Sequence, residues 1–141
     1  MSRLLDNKPS ILFAPPEYWQ LSDAQRKDIC NGCGTKGLCG ILVPDTIYGL
    51  RITAACDIHD FMYSVGETLE DKEAADRVFL NNLLRIIDTQ TSWNILKRLR
   101  ARRAMIYYRA VVEFGGPAFW AGKNKPEELG LFNPSLQGAM A

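Results

Sequence analysis

A chain of 141 residues has the length of one domain, and 47% apolar against 23% charged residues excludes a wholly disordered chain. No uncharged apolar run approaches the roughly 18 residues that span a bilayer. Asp6 also interrupts the only apolar start, Leu4-Leu5, so a cleavable export signal is not expected. The net charge of +1 hides a segregation. Acids dominate 57–76, whereas 93–109 carry bases and no acid.

In chain order, 1–21 reads as an irregular arm, because Pro9, Pro15 and Pro16 block a long helix. Ser22-Asp23-Ala24-Gln25 has capping-box form and predicts a short helix that Asn31-Gly32 stops. Gly32 to Gly49 has loop composition, rich in glycine and holding Cys33 and Cys39. A helix is predicted over 52–64, ended near Gly66. A second runs from Glu67 to about Ile87, with Ala75, Phe79, Leu83 and Ile86 on its buried face. A third runs from Ser92 to Phe114, stopped by Gly115-Gly116-Pro117, with Ile95, Leu99, Ile106 and Ala110 as its buried stripe. The tail 123–141 reads as loop, and no run alternates strongly enough for a strand. The expected fold is a single domain over 1–141, mainly α. Two long antiparallel helices carry the site, a third packs on them, and a Gly/Cys-rich metal loop precedes the catalytic helix.

His59 is the only histidine and Asp60 follows it. Residues three and four apart share a helix face, so Cys56, His59 and Tyr63 line up while Asp60 turns about 100° away. An imidazole with an ordinary pKa of about 6.5 suits a general base, and a carboxylate from a facing helix would fix its tautomer. A helical hairpin at Gly66 would bring Asp76 to that place. Asp71 is the competitor, but its first-turn position reads more simply as compensation of the helix dipole. Asp60 and the carbonyls of a glycine-rich loop are hard oxygen donors of the kind calcium prefers.

These residues resemble the phospholipase A2 superfamily, in its secreted-like, shorter microbial and viral form. Cys56-Asp57-Ile58-His59-Asp60-Phe61-Met62-Tyr63 is similar to its C-x-x-H-D-x-x-Y helix, and Asn31-Gly32-Cys33-Gly34 to the start of its calcium loop. Val43-Pro44-Asp45, Ala75-Asp76-Arg77-Val78-Phe79 and the helix end from Tyr107-Tyr108 to Phe114-Gly115 extend the resemblance over about 31–116. Ala55 and Met62 stand where animal members often have cysteines, and Lys36 where a carbonyl-donating glycine is usual.

The resemblance implies hydrolysis of the sn-2 ester of phospholipids without a covalent intermediate. His59 would take a proton from the attacking water, Asp76 would hold the far ring nitrogen, and Tyr63 would hydrogen-bond that aspartate. Calcium (Ca2+) would be held by Asp60 and by carbonyls near Gly32, Gly34 and Lys36, with a backbone N–H near Gly34 in the oxyanion hole. Cys33 would pair with Cys56 in a disulfide. The implied partner is a phospholipid membrane surface, to which Lys97, Arg98 and Arg100 would add attraction for anionic lipid. Such an enzyme made without a signal needs containment, by low calcium, a carrier protein, a specialised secretion route or packaging in a virus particle.

From the residues alone, two other readings stay open. Cys30, Cys33 and Cys39 with Cys56 or His59 would make a four-ligand zinc site, and with the basic helix a small nucleic-acid-binding module. A catalytically silent structural or lipid-binding protein would keep the fold alone. Trp19, Phe119 and Trp120 read as interfacial anchors or as packing of the arms, and Tyr107 and Tyr108 as site wall or core.

Overall fold

The computed structural model describes residues 11–35 and 43–123, with 30–35 described by backbone alone. Among them lie helices α1 (Pro16–Trp19), α2 (Asp23–Thr35), α3 (Thr53–Val65), α4 (Leu69–Gln90), α5 (Asn94–Phe114) and α6 (Gly116–Trp120). Between α2 and α3 sits a two-stranded ribbon, β1 (Thr46–Ile47) and β2 (Leu50–Arg51). The architecture is mainly α, as the periodicity predicts. No described helix is long and apolar enough to cross a membrane.

Local chemistry sets the boundaries. At the start of α2, Ser22 Oγ accepts from Gln25 N–H at 3.1 Å and Gln25 Oε1 accepts from Ser22 N–H at 2.9 Å. The helix does not stop at Asn31-Gly32 but continues to Thr35. Single glycines weaken a helix by only about 1 kcal/mol each, which a 13-residue helix packed on α3 absorbs. Thr68 caps α4 in a second capping box, accepting from Asp71 N–H while Asp71 Oδ2 accepts from Thr68 and Glu67 N–H. Asp71 is therefore spent on the helix start.

The ribbon lies in the stretch expected to be loop. It pairs Thr46 with Arg51 and Ile47 with Leu50 across Tyr48-Gly49. Both turn residues have positive φ, 46° and 79°, as a tight two-residue hairpin requires. Its contacts are to α5: Arg100 donates to Tyr48 O at 2.8 Å, Arg103 stacks on the Tyr48 ring, and Tyr107 OH donates to Thr46 O at 2.9 Å.

One core joins the ribbon (Ile47, Leu50), Ile52 at the cap of α3, α3 (Ala55, Cys56, Tyr63), α4 (Ala75, Phe79, Leu83, Ile86), α5 and Phe119 of α6. The face foreseen for α4 is the buried one. The stripe foreseen for α5 is not, except at Ala110, which packs partly buried against the core: Ile95, Leu99 and Ile106 are 65%, 43% and 53% exposed. Ala104, Tyr107 and Val111 are buried instead. The small Ala104 lets α5 lie close on α4, and Tyr107 spends its hydroxyl on the ribbon. A smaller cluster of Tyr18, Ile58 and Phe61, with Ile29 and Trp19 against it, fixes α1 and α2 on α3. The arm is strapped down by Asn82, whose amide bonds both Phe13 N–H (2.7 Å) and Phe13 O (2.8 Å).

Candidate active site

Helix α3 presents Cys56, His59 and Tyr63 to the interior in successive turns, and all three are buried. Helix α4 returns past them after the turn at Gly66, where an added Cβ would meet Phe119 Cε1 at 2.8 Å. That return sets Asp76 against the histidine: His59 Nε2 lies 2.8 Å from Asp76 Oδ1. Tyr63 OH donates to the same oxygen at 2.7 Å. The other oxygen, Oδ2, accepts from Lys72 Nζ at 2.8 Å, one turn back on α4. Lys72 also donates to Val111 O at 3.2 Å and Val112 O at 3.4 Å, where α5 ends. The foreseen His59–Asp76–Tyr63 set is thus brought together, with a fourth member that the sequence reading passed over. Its only local signal was the i, i+4 spacing of Lys72 and Asp76.

The electrostatics follow from burial. Burial is the strongest influence on Asp76 and opposes its charge, yet the hydrogen bonds from His59, Lys72 and Tyr63 outweigh it and hold the carboxyl below its ordinary pKa. Asp76 is therefore an acceptor, and Nε2 of a neutral His59 must be the nitrogen that carries the proton. Burial lowers the His59 pKa below the ordinary 6.5, against the hydrogen bond and charge of Asp76. Lys72 already balances the Asp76 charge, so the site reads as one anion, one cation and a neutral imidazole.

That leaves a lone pair on Nδ1, which is buried and has no hydrogen-bond partner among the described residues. The rings of Tyr63 and Phe79 flank the imidazole at centroid distances of 4.1 and 4.8 Å. A cleft of about 410 Å³ opens beside Asp76, lined by Lys72, Asp76, Glu73, Arg77, Tyr108 and Trp120, and His59 does not line it. Tyr108 is thereby a wall of that cleft, whereas Tyr107 is core. Phe119 is fully buried, which settles its choice between anchor and packing.

Asp60 is half-buried on α3 beside His59. Gly32 and Gly34 lie in the last turn of α2 rather than in a loop. The carbonyls of a helix's last turn have no intrahelical partner, so this set still offers one carboxylate and backbone oxygens, which suits a hard cation. Among the described residues no three His, Cys, Asp or Glu side chains converge. Lys36 and Cys39 lie outside the described residues, as do the side chains of Cys30 and Cys33. Cys56 is a buried free thiol among the described residues, and the Cys33 half of the foreseen disulfide, its side chain, lies outside them.

Of the foreseen interfacial bases, Lys97 pairs with Asp88 at 3.2 Å and Arg100 holds Thr91 and Tyr48. Arg98 is exposed. In comparisons with known proteins, no family model, curated protein or solved structure matches the chain.

Proposed function

We propose that this protein is a calcium-dependent hydrolase of the sn-2 ester of phospholipids, in which His59 activates water and Asp76 holds the ring. The observation that carries the reading is the division of the imidazole: Nε2 is bound to a buried carboxylate while Nδ1 is buried with no partner among the described residues. Buried polar atoms in a structural histidine are normally satisfied. A nitrogen left with its lone pair unsatisfied is where a water would be bound and deprotonated.

In this mechanism the water donates to Nδ1, and as it attacks the ester the proton passes to that nitrogen. Asp76 then stabilises the imidazolium through Nε2–H, and Tyr63 and Lys72 keep the carboxylate oriented. The proton returns from Nδ1 to the leaving alcohol. Asp60 and carbonyls of the Gly32–Gly34 turn would hold calcium, which polarises the ester carbonyl and binds phosphate when present. Because His59 is fully buried, opening of its Nδ1 side is part of the cycle. The surface reading of α5 is also a proposal: its bases, with exposed Ile95, Leu99 and Ile106, fit an anionic phospholipid surface.

The test is release of a labelled sn-2 chain from phospholipid vesicles, with calcium or with chelator. Release with calcium, its loss in chelator, and a fall of about a hundredfold or more in Asp60→Asn are expected. Release by Asp60→Asn at the wild-type rate in excess chelator refutes the metal assignment. No release by the wild type under any condition refutes the activity.

A further inference from the structure

We propose that Lys72 is a positioning residue of this site, holding Asp76 in register with His59 and Tyr63 and fastening it to the end of α5. A lysine is almost never fully buried unless paired, and Lys72 is 6% exposed. Its ammonium has three donors, and three acceptors surround it: Asp76 Oδ2, Val111 O and Val112 O. The two carbonyls belong to the last turn of α5, the negative end of that helix, which favours a cation.

The carboxylate is thereby divided. Oδ1 faces the imidazole and the phenol, and Oδ2 faces the ammonium, so the group cannot turn about its own bond without losing a partner. Buried ion pairs are a poor source of stability, since desolvation offsets most of the attraction. A pair at this carboxylate is better explained by placement. Gly115 belongs to the same arrangement: an added Cβ there would meet Tyr63 OH at 2.5 Å, so the chain leaving α5 is fitted to the second donor of Asp76.

The consequence for rate rests on the hydrolase reading; the placement itself does not, and the test separates them. His59 is the only histidine, so its ring gives one assignable 15N–1H spin system in the full chain. Wild type should show a single tautomer with a slowly exchanging Nε2 proton. Lys72→Met should shift or lose that resonance while the backbone amide spectrum stays folded, and Lys72→Arg, which keeps the cation, should restore it. An unchanged Nε2 proton in folded Lys72→Met overturns the proposal. Where Lys72→Met does not fold, Lys72→Arg decides alone: a folded arginine variant with the resonance retained supports it, and one with the resonance lost overturns it.

In kinetics, Lys72→Met should lower kcat by about tenfold with KM nearly unchanged. Added to Asp76→Asn it should cost nothing further in kcat, because it acts through that carboxylate. Independent, multiplying losses overturn the proposal. A wild type without activity removes the hydrolase reading and leaves the resonance to decide.

Discussion

At the scale of single residues, the charge balance around Asp76 decides what substitutions do. Asp76→Asn removes the only anion among the described residues that Lys72 pairs with, and leaves a buried cation with two carbonyls. Breaking one side of a buried pair costs about 3–5 kcal/mol. We expect a loss of that size in urea unfolding, and recovery of much of it in Lys72→Met/Asp76→Asn, where neither charge remains. His59→Gln is different: its amide can still donate to Asp76, so the fold should persist while turnover falls by about 10²–10⁴. Release of bound zinc or a collapse of the fold in His59→Gln counts against the histidine as base. Protons test the same residues. His59 and Asp76 both titrate lower in the folded chain, so the unfolded chain binds more protons in acid. The His59 contribution to stability is complete above its ordinary 6.5 and declines as pH falls below it. That of Asp76 is complete above its ordinary 3.8 and is lost on further acidification. Denaturation midpoints in chelator should therefore fall from neutral pH downward, and a midpoint that rises between pH 6.5 and 5 contradicts the buried neutral imidazole.

At the scale of elements, the end of α5 and the turn after α3 have the tightest tolerances. Gly115 caps α5 with its N–H on Val111 O, in a right-handed helical conformation that any residue adopts. What requires glycine there is space, since a methyl would strike Tyr63 OH and the Val111 carbonyl. Gly115→Ala should therefore move Tyr63 off Asp76. The expected cost is about 1–3 kcal/mol from overpacking, read as a lower melting temperature with altered tyrosine near-ultraviolet dichroism. An alanine variant as stable as wild type, with that dichroism unchanged, means the contact is not tight. The helix starts were open to reading from Ser22-x-x-Gln25. The continuation of α2 through two glycines was not, because tertiary contacts with α3 outweigh local propensity.

At the scale of the whole molecule, one side chain closes the last described helix, α6, on the site. Phe119 is fully buried, packs edge-on to Tyr63 at 5.2 Å, and touches the Gly66 turn. Phe119→Ala should cost about 3–5 kcal/mol and loosen α6 together with the Tyr63–Asp76 bond; thermal unfolding and hydrogen exchange of α6 check both. A loss under about 1 kcal/mol would show that α6 docks independently of it. The sequence by itself determined the three main helices, the buried face of α4, and His59 and Asp76 as partners. Each of these is written in spacings of three, four or one hairpin's length, which neighbours along the chain suffice to fix. Only the tertiary structure decided which face of α5 is buried, because Ile95, Leu99 and Ile106 carry the same periodicity as the face that packs. It alone also made Lys72 part of the site. That lysine stands in an acid-rich stretch that reads as solvent-facing, and its buried place depends on carbonyls 39 and 40 residues further along the chain. Such a contact has no local pattern, since it exists only once α5 has folded back against α4.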